Sequence, residues 1–74
     1  MELRSRRKLL SISQKKLSEK VGVTNDYISN LERNDKTPSL KLAKKISDYL
    51  IEEAQKQNIP KEIFTIENIF FMKQ

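Results

Sequence analysis

The sequence predicts an all-α fold, and three observations predict it. The chain carries one glycine and two prolines in 74 residues, so little breaks a helical run. Its apolar residues recur at three- and four-residue spacing, the period of a helix with one buried face. A serine or threonine stands just before each later periodic run, where its oxygen can cap the first helical turn.

Leu3, Arg7 and Leu10 fall at i, i+4 and i+7 and set a first helix over about residues 2–10, its inward stripe interrupted by an arginine. Ser11-Ile12 breaks that rhythm. Ser13 caps a second helix, Gln14 to Val21, with Leu17, Ser18 and Val21 inside. Gly22, the only glycine, stands where a left-handed C-cap residue is needed. Thr24 caps a third helix that buries Ile28 and Leu31 and stops near Asn34-Asp35; asparagine tolerates a left-handed position better than other non-glycine residues. Ser39, after Pro38, opens a fourth helix with Leu42, Ala43, Ile46, Tyr49 and Leu50 inside. Its pattern runs on through Ile51 and Ala54 toward Gln57, longer than so small a domain needs, and Pro60 ends it.

The tail, residues 59–74, changes character. Ile59, Ile63, Phe64, Ile66, Ile69, Phe70, Phe71 and Met72 crowd into a few turns. Thr65 caps a short helix through Phe70 in one reading. A terminal strand is the other, because Phe and Ile are strand-prone.

Length allows one domain, residues 1–74, with a modest core. The chain has no cysteine and no histidine. Disulfides and thiolate metal sites are excluded, and the commonest general base and metal ligand are missing. With no glycine-rich phosphate loop either, the remaining carboxylates and lysines form no catalytic site, so no enzyme activity, metal or cofactor is expected. The N-terminus MELRSRRKLL lacks the apolar run and cleavage site of a signal peptide. No segment reaches the roughly twenty apolar residues of a membrane helix. A soluble, cytoplasmic protein is expected, and the Lys-, Ile- and Asn-rich composition fits an AT-rich genome.

The net charge is +5, and its excess sits at the front. Arg4, Arg6, Arg7, Lys8, Lys15 and Lys16 face only Glu2, while the remaining stretches nearly cancel. Such a surface is either the footprint of a polyanion binder or a solvated basic helix face.

The second and third helices are joined by Gly22-Val23-Thr24. Helices that close must cross steeply, and Ser18 supplies the small residue at the crossing. This is helix-turn-helix geometry, in which the second helix lies in the DNA major groove. Ordered residues extend it: Leu3-Arg4…Arg7, Gln14-x-x-Leu17-Ser18-x-x-Val21-Gly22-Val23-Thr24, Ile28-Ser29-x-Leu31-Glu32-x-Asn34, and Pro38-Ser39-Leu40. Over about residues 2–50 the chain resembles the Cro and phage-repressor family of helix-turn-helix DNA-binding proteins. The resemblance implies a compact bundle of about five helices, a bacterial or phage origin, and a dimeric regulator of transcription that binds double-stranded DNA.

It also implies roles. Asn25, Asp26 and Asn30 hold the family's base-reading positions, and asparagine can bond adenine at N6 and N7. Tyr27 can touch a thymine methyl or a phosphate. Asp26 either accepts from cytosine N4 or only stabilises the helix N-terminus. Gln14 matches the phosphate-binding glutamine and can also brace the third helix. Ser13, Lys15 and Thr24 lie near the same strand, while Arg33, Lys36 and Thr37 lie on the loop laid along the backbone. Arg7 and Glu32 match a buried ion pair, structural rather than catalytic, since an isolated buried charge is very costly. Arg4, Arg6 and Lys8 read first as solvated, with reach to a phosphate as the lesser reading.

Two departures stand out. Asn34 replaces a common glycine, and the chain after Tyr49 does not follow the usual short loop. Ile63, Phe64, Ile66, Ile69, Phe70 and Phe71 offer more apolar surface than a small core easily hides. They divide between closing the core and a homodimer interface, or all belong to the core. The leading reading is a small repressor on a two-fold symmetric operator. The rival is a protein-interaction module, or an antitoxin-type regulator, that grips a partner protein through the tail.

Overall fold

In the computed structural model, which describes residues 1–71, five α-helices and one 3-10 turn follow each other along the chain. They are α1 (Leu3–Leu9), α2 (Gln14–Val21), α3 (Asn25–Glu32), α4 (Leu40–Lys56), the 3-10 turn Lys61–Phe64, and α5 (Ile66–Phe70). No strand occurs among the described residues, so the strand reading of the tail is set aside. Met72 lies outside the described residues.

Each later α-helix begins at the expected cap. The hydroxyls of Ser13, Thr24, Ser39 and Thr65 accept from the backbone N–H three residues on, at 3.0 to 3.3 Å. Each satisfies one of the amides that a first turn leaves unpaired. Helix ends follow a common rule as well. Ser11, Gly22, Asn34 and Asn58 all adopt positive φ, from 57° to 77°. After each of them the next amide reaches back to the carbonyl five residues earlier: Ile12 to Arg7, Val23 to Ser18, Asp35 to Asn30 and Ile59 to Ala54. These are Schellman closures, which pair carbonyls that a helix end would otherwise leave open. Pro60 therefore does not stop α4; the chain has already left the helix at Asn58. At Gly22 an added Cβ would meet nothing within 4 Å, so only the backbone angle, φ +77°, demands glycine.

The packing puts α2 against α3 and α4, and α1 against α3 and α5. The 17-residue α4 meets α2, the 3-10 turn and α5. Leu3, Leu17, Ile28, Leu31, Ile46 and Leu50 are fully buried, as is Phe64. Ser18 is buried too, and its hydroxyl donates to the Lys15 carbonyl at 2.7 Å, so the small crossing residue leaves no open donor.

The tail is stitched into this bundle. Ser47, buried on α4, donates to the Phe64 carbonyl at 2.7 Å. The Glu2 amide donates to the Ile69 carbonyl at 2.7 Å. Arg6 is not simply solvated: its Nε donates to the Ile63 carbonyl at 2.9 Å. Gln57 ties the end of α4 to the Leu10 carbonyl at 2.9 Å. Of the six apolar tail residues read as an interface, Phe64 and Ile69 are fully buried in the chain's own core and Phe70 is 9% exposed. Ile63 and Ile66 pack half-buried against that core, and Phe71 stays 55% exposed.

This division has a measurable consequence. Phe64→Ala empties a fully buried site and is expected to cost about 3–5 kcal/mol, a large share of the roughly 4–11 kcal/mol available to a chain of this length. Phe71→Ala should change stability by no more than about 0.5 kcal/mol. Urea unfolding of the two variants checks it; equal losses would mean that Phe71 is also a core residue.

Candidate nucleic-acid interface

A helix turns about 100° per residue, and α3 uses that turn to separate two faces. Ile28 and Leu31 have no exposed surface and fix one face to the core. Asn25, Asp26, Ser29, Asn30 and Arg33 fall on the other, all exposed or half-exposed. Tyr27 leaves this polar face. It is half-buried on the flank of α3, in a groove shared with Val21, Val23 and Leu42. Asp26 is the acid in the first turn of α3, where a carboxylate complements the helix dipole.

The orientation of α3 is set from beneath by Glu32. Arg7 on α1 donates to both carboxylate oxygens, Nε to Oε2 at 2.7 Å and NH2 to Oε1 at 3.0 Å. Its remaining nitrogen, NH1, donates to the Ile12 carbonyl at 2.9 Å. Gln14, the first residue of α2, adds a third hydrogen bond, Nε2 to Oε1 at 3.0 Å. The two charged side chains are 9% and 4% exposed. Burial alone pushes the Glu32 carboxyl up; the hydrogen bonds from Arg7 and Gln14 and the charges of Arg7 and Arg4 outweigh it, so its pKa lies below the usual value. Glu32 therefore ties α1 and α2 to α3. The expected pair is present, and Gln14 is its third member.

Above this bridge lies a concavity of about 290 Å³, lined by Arg4, Arg7, Lys8, Gln14, Ser29, Glu32 and Arg33. Glu32 cancels Arg7, which leaves Arg4, Lys8 and Arg33 as its net positive charge. Arg4 and Lys8 have no carboxylate within 4 Å among the described residues, unlike Arg33, Lys44 and Lys56. Arg4 and Lys8 are exposed, as the sequence reading expects, and the structure adds their grouping with Arg33. The signal was there: they stand four apart on one side of α1 and flank Arg7, the inward residue.

The other expected phosphate contacts surround this region. Ser13 and Lys15 are exposed at the start of α2, and Thr24 at the start of α3. Ser13 and Thr24 spend an acceptor on capping, which leaves each hydroxyl hydrogen free to donate. Lys36 and Thr37 are exposed on the loop after α3.

A family model described as helix-turn-helix, of the lambda-repressor and Cro type, matches residues 3–55. The chain belongs to this family. It is accordingly a DNA-binding regulator of transcription. The match takes in α1 to α3 and nearly all of α4, and leaves the 3-10 turn and α5 outside it. No curated protein matches the chain. No helix among the described residues is long and apolar enough to cross a membrane.

The bridge under α3 makes stability depend on pH in a defined direction. A carboxyl with a depressed folded-state pKa stabilises fully above its unfolded value, about 4.3 for glutamate. That contribution is lost as pH falls through the lower folded value. Glu32→Gln keeps the shape but strands the Arg7 charge, and should cost about 3–5 kcal/mol at neutral pH. Urea unfolding at stepped pH should show the wild-type helix-turn-helix protein losing more stability toward acid than the variant; parallel losses would contradict the bridge.

Proposed function

We propose that this chain is a sequence-specific repressor that binds a two-fold symmetric operator as a homodimer, with α3 in the major groove. The observation that carries this reading is the polar face of α3, bordered by cations from three elements. Asn25, Asp26 and Asn30 are the base readers, joined by Ser29 on the same face. Asp26 accepts from cytosine N4 or acts only on the helix dipole; selected bases distinguish these. Tyr27 serves chiefly to seat α3 against α4.

Gln14, Ser13, Lys15 and Thr24 hold backbone phosphates on one side of α3, and Arg33, Lys36 and Thr37 on the other. Gln14 gives one amide hydrogen to Glu32 and keeps its second for a phosphate. Arg4 and Lys8 extend the backbone contact to α1, because their unpaired charges face the same concavity. Such contacts supply affinity and salt dependence but no sequence choice.

Ile63, Ile66 and Phe71 supply the dimer contact. Of the six tail residues read as an interface, these three are half-buried or exposed. The same observation is open to a partner protein, as an antitoxin-type regulator would use it. Sedimentation of the protein with and without DNA separates the two.

Selection of binding sites from a random duplex pool tests the reading. A symmetric site should be enriched, with half-sites about one helical turn apart. No enrichment, with binding that vanishes at moderate salt, would overturn it. On the selected site, replacing Arg4 and Lys8 together by Gln should lower the slope of log K against log salt by about 2 without altering the selected bases. An unchanged slope would remove α1 from the interface.

A further inference from the structure

The concavity above the Glu32 bridge is rich in donors and poor in acceptors. Both Glu32 oxygens are taken by Arg7 and Gln14. Every Arg7 side-chain nitrogen is engaged, on Glu32 or on the Ile12 carbonyl. The buried pair is therefore a neutral floor. The walls are not neutral. Arg4 and Lys8 have no carboxylate within 4 Å among the described residues. Arg33 shares its charge with Asp35 at 3.1 Å. Gln14 keeps one amide hydrogen beside the one it gives to Glu32. Ser29 keeps its hydroxyl hydrogen, because its oxygen accepts from Arg33 NH1 at 2.7 Å. Two uncompensated positive charges thus come from α1, four residues apart, and neutral donors from α2 and α3 line the same space.

A single DNA phosphate uses only part of this set. A phosphodiester carries one negative charge, against the two that Arg4 and Lys8 supply. A diphosphate group carries more charge and more free oxygens, all of them acceptors. The concavity of about 290 Å³ equals the volume of roughly ten waters, room enough for two linked phosphates.

We propose that this concavity binds the diphosphate group of a small molecule, such as a nucleoside diphosphate, and that the bound group competes with duplex DNA for Arg4 and Lys8. Charge-assisted hydrogen bonds are the stronger kind, and the one carboxylate among the lining residues is already matched by Arg7. The competition rests on α1 meeting the DNA backbone, as proposed above; the anion site does not.

Calorimetric titration with inorganic pyrophosphate at constant ionic strength tests the site. One pyrophosphate should bind per chain. Replacing Arg4 and Lys8 together by Gln should weaken binding by roughly ten-fold or more. Replacing Lys41 and Lys45 together by Gln removes the same charge from α4 and should weaken it by less than about two-fold. All four side chains are exposed, so neither pair of changes should unfold the chain. Equal losses in the two variants would overturn the proposal, since attraction to a basic surface at large would then account for the binding. No binding of pyrophosphate at millimolar concentration would overturn it as well.

Pyrophosphate should also release the wild-type chain from its selected duplex, more strongly than sulfate at matched ionic strength. The Arg4 and Lys8 variant should lose that sensitivity. Pyrophosphate that binds the concavity yet leaves duplex affinity unchanged would overturn the shared site while sequence-specific binding through α3 stands. A wild type that selects no duplex marks the separate failure of the repressor reading, and the titration then decides the anion site by itself.

Discussion

Glu32 is the constraint on which the other features depend. A glutamate side chain that is only 4% exposed is costly unless its charge is matched and its oxygens are hydrogen-bonded, and here both conditions are met. The matching groups come from two other helices, Arg7 on α1 and Gln14 at the first position of α2. The bridge thereby fixes the angle at which α3 leaves the bundle. Ile28 and Leu31 could pack with some freedom of rotation, since apolar contact is not directional. A bidentate arginine pair allows far less. The polar face of α3 then points one way, and the concavity beside it collects Arg4, Lys8 and Arg33.

The far end of the molecule solves a different problem. A chain this short exposes much of its surface, and α1 to α3 alone enclose little. The long α4 and the tail finish the core with Phe64, Ile69 and Phe70. Each fully buried side chain of this size contributes about 1.5–3 kcal/mol. The hydrogen bonds of Ser47, Arg6 and the Glu2 amide to tail carbonyls satisfy backbone groups that this burial would otherwise strand. Closing the core leaves Phe71 outside it.

Local chemistry was legible in the sequence. Ser13, Thr24, Ser39 and Thr65 cap the helices expected of them, and Gly22 and Asn34 take left-handed angles, because cap geometry involves neighbours a few residues apart. Arg7 was legible as a buried charge, and resemblance supplied its partner. Features that depend on distant segments were not. Nothing near Ser47 or Arg6 announces a tail carbonyl, and the 3-10 turn at Lys61–Phe64 has no periodic signature of its own. Ser11 read as a break in the helical rhythm but not as a left-handed residue, and Asn58 passed unnoticed beside Pro60. Tyr27 read as part of the polar row; its position on the flank follows from packing against α2 and α4. The grouping of Arg4 and Lys8 with Arg33 needed α1 and α3 in space.

The most direct measurement is a backbone amide map by NMR, titrating the labelled protein with its selected duplex. The surface described above predicts that the largest changes fall at Gln14 to Lys16, Asn25 to Asn30 and Arg33 to Thr37, with Arg4 and Lys8 on α1 among them. Changes confined to the tail, with α3 silent, would contradict it and place the functional surface at Ile63, Ile66 and Phe71 instead.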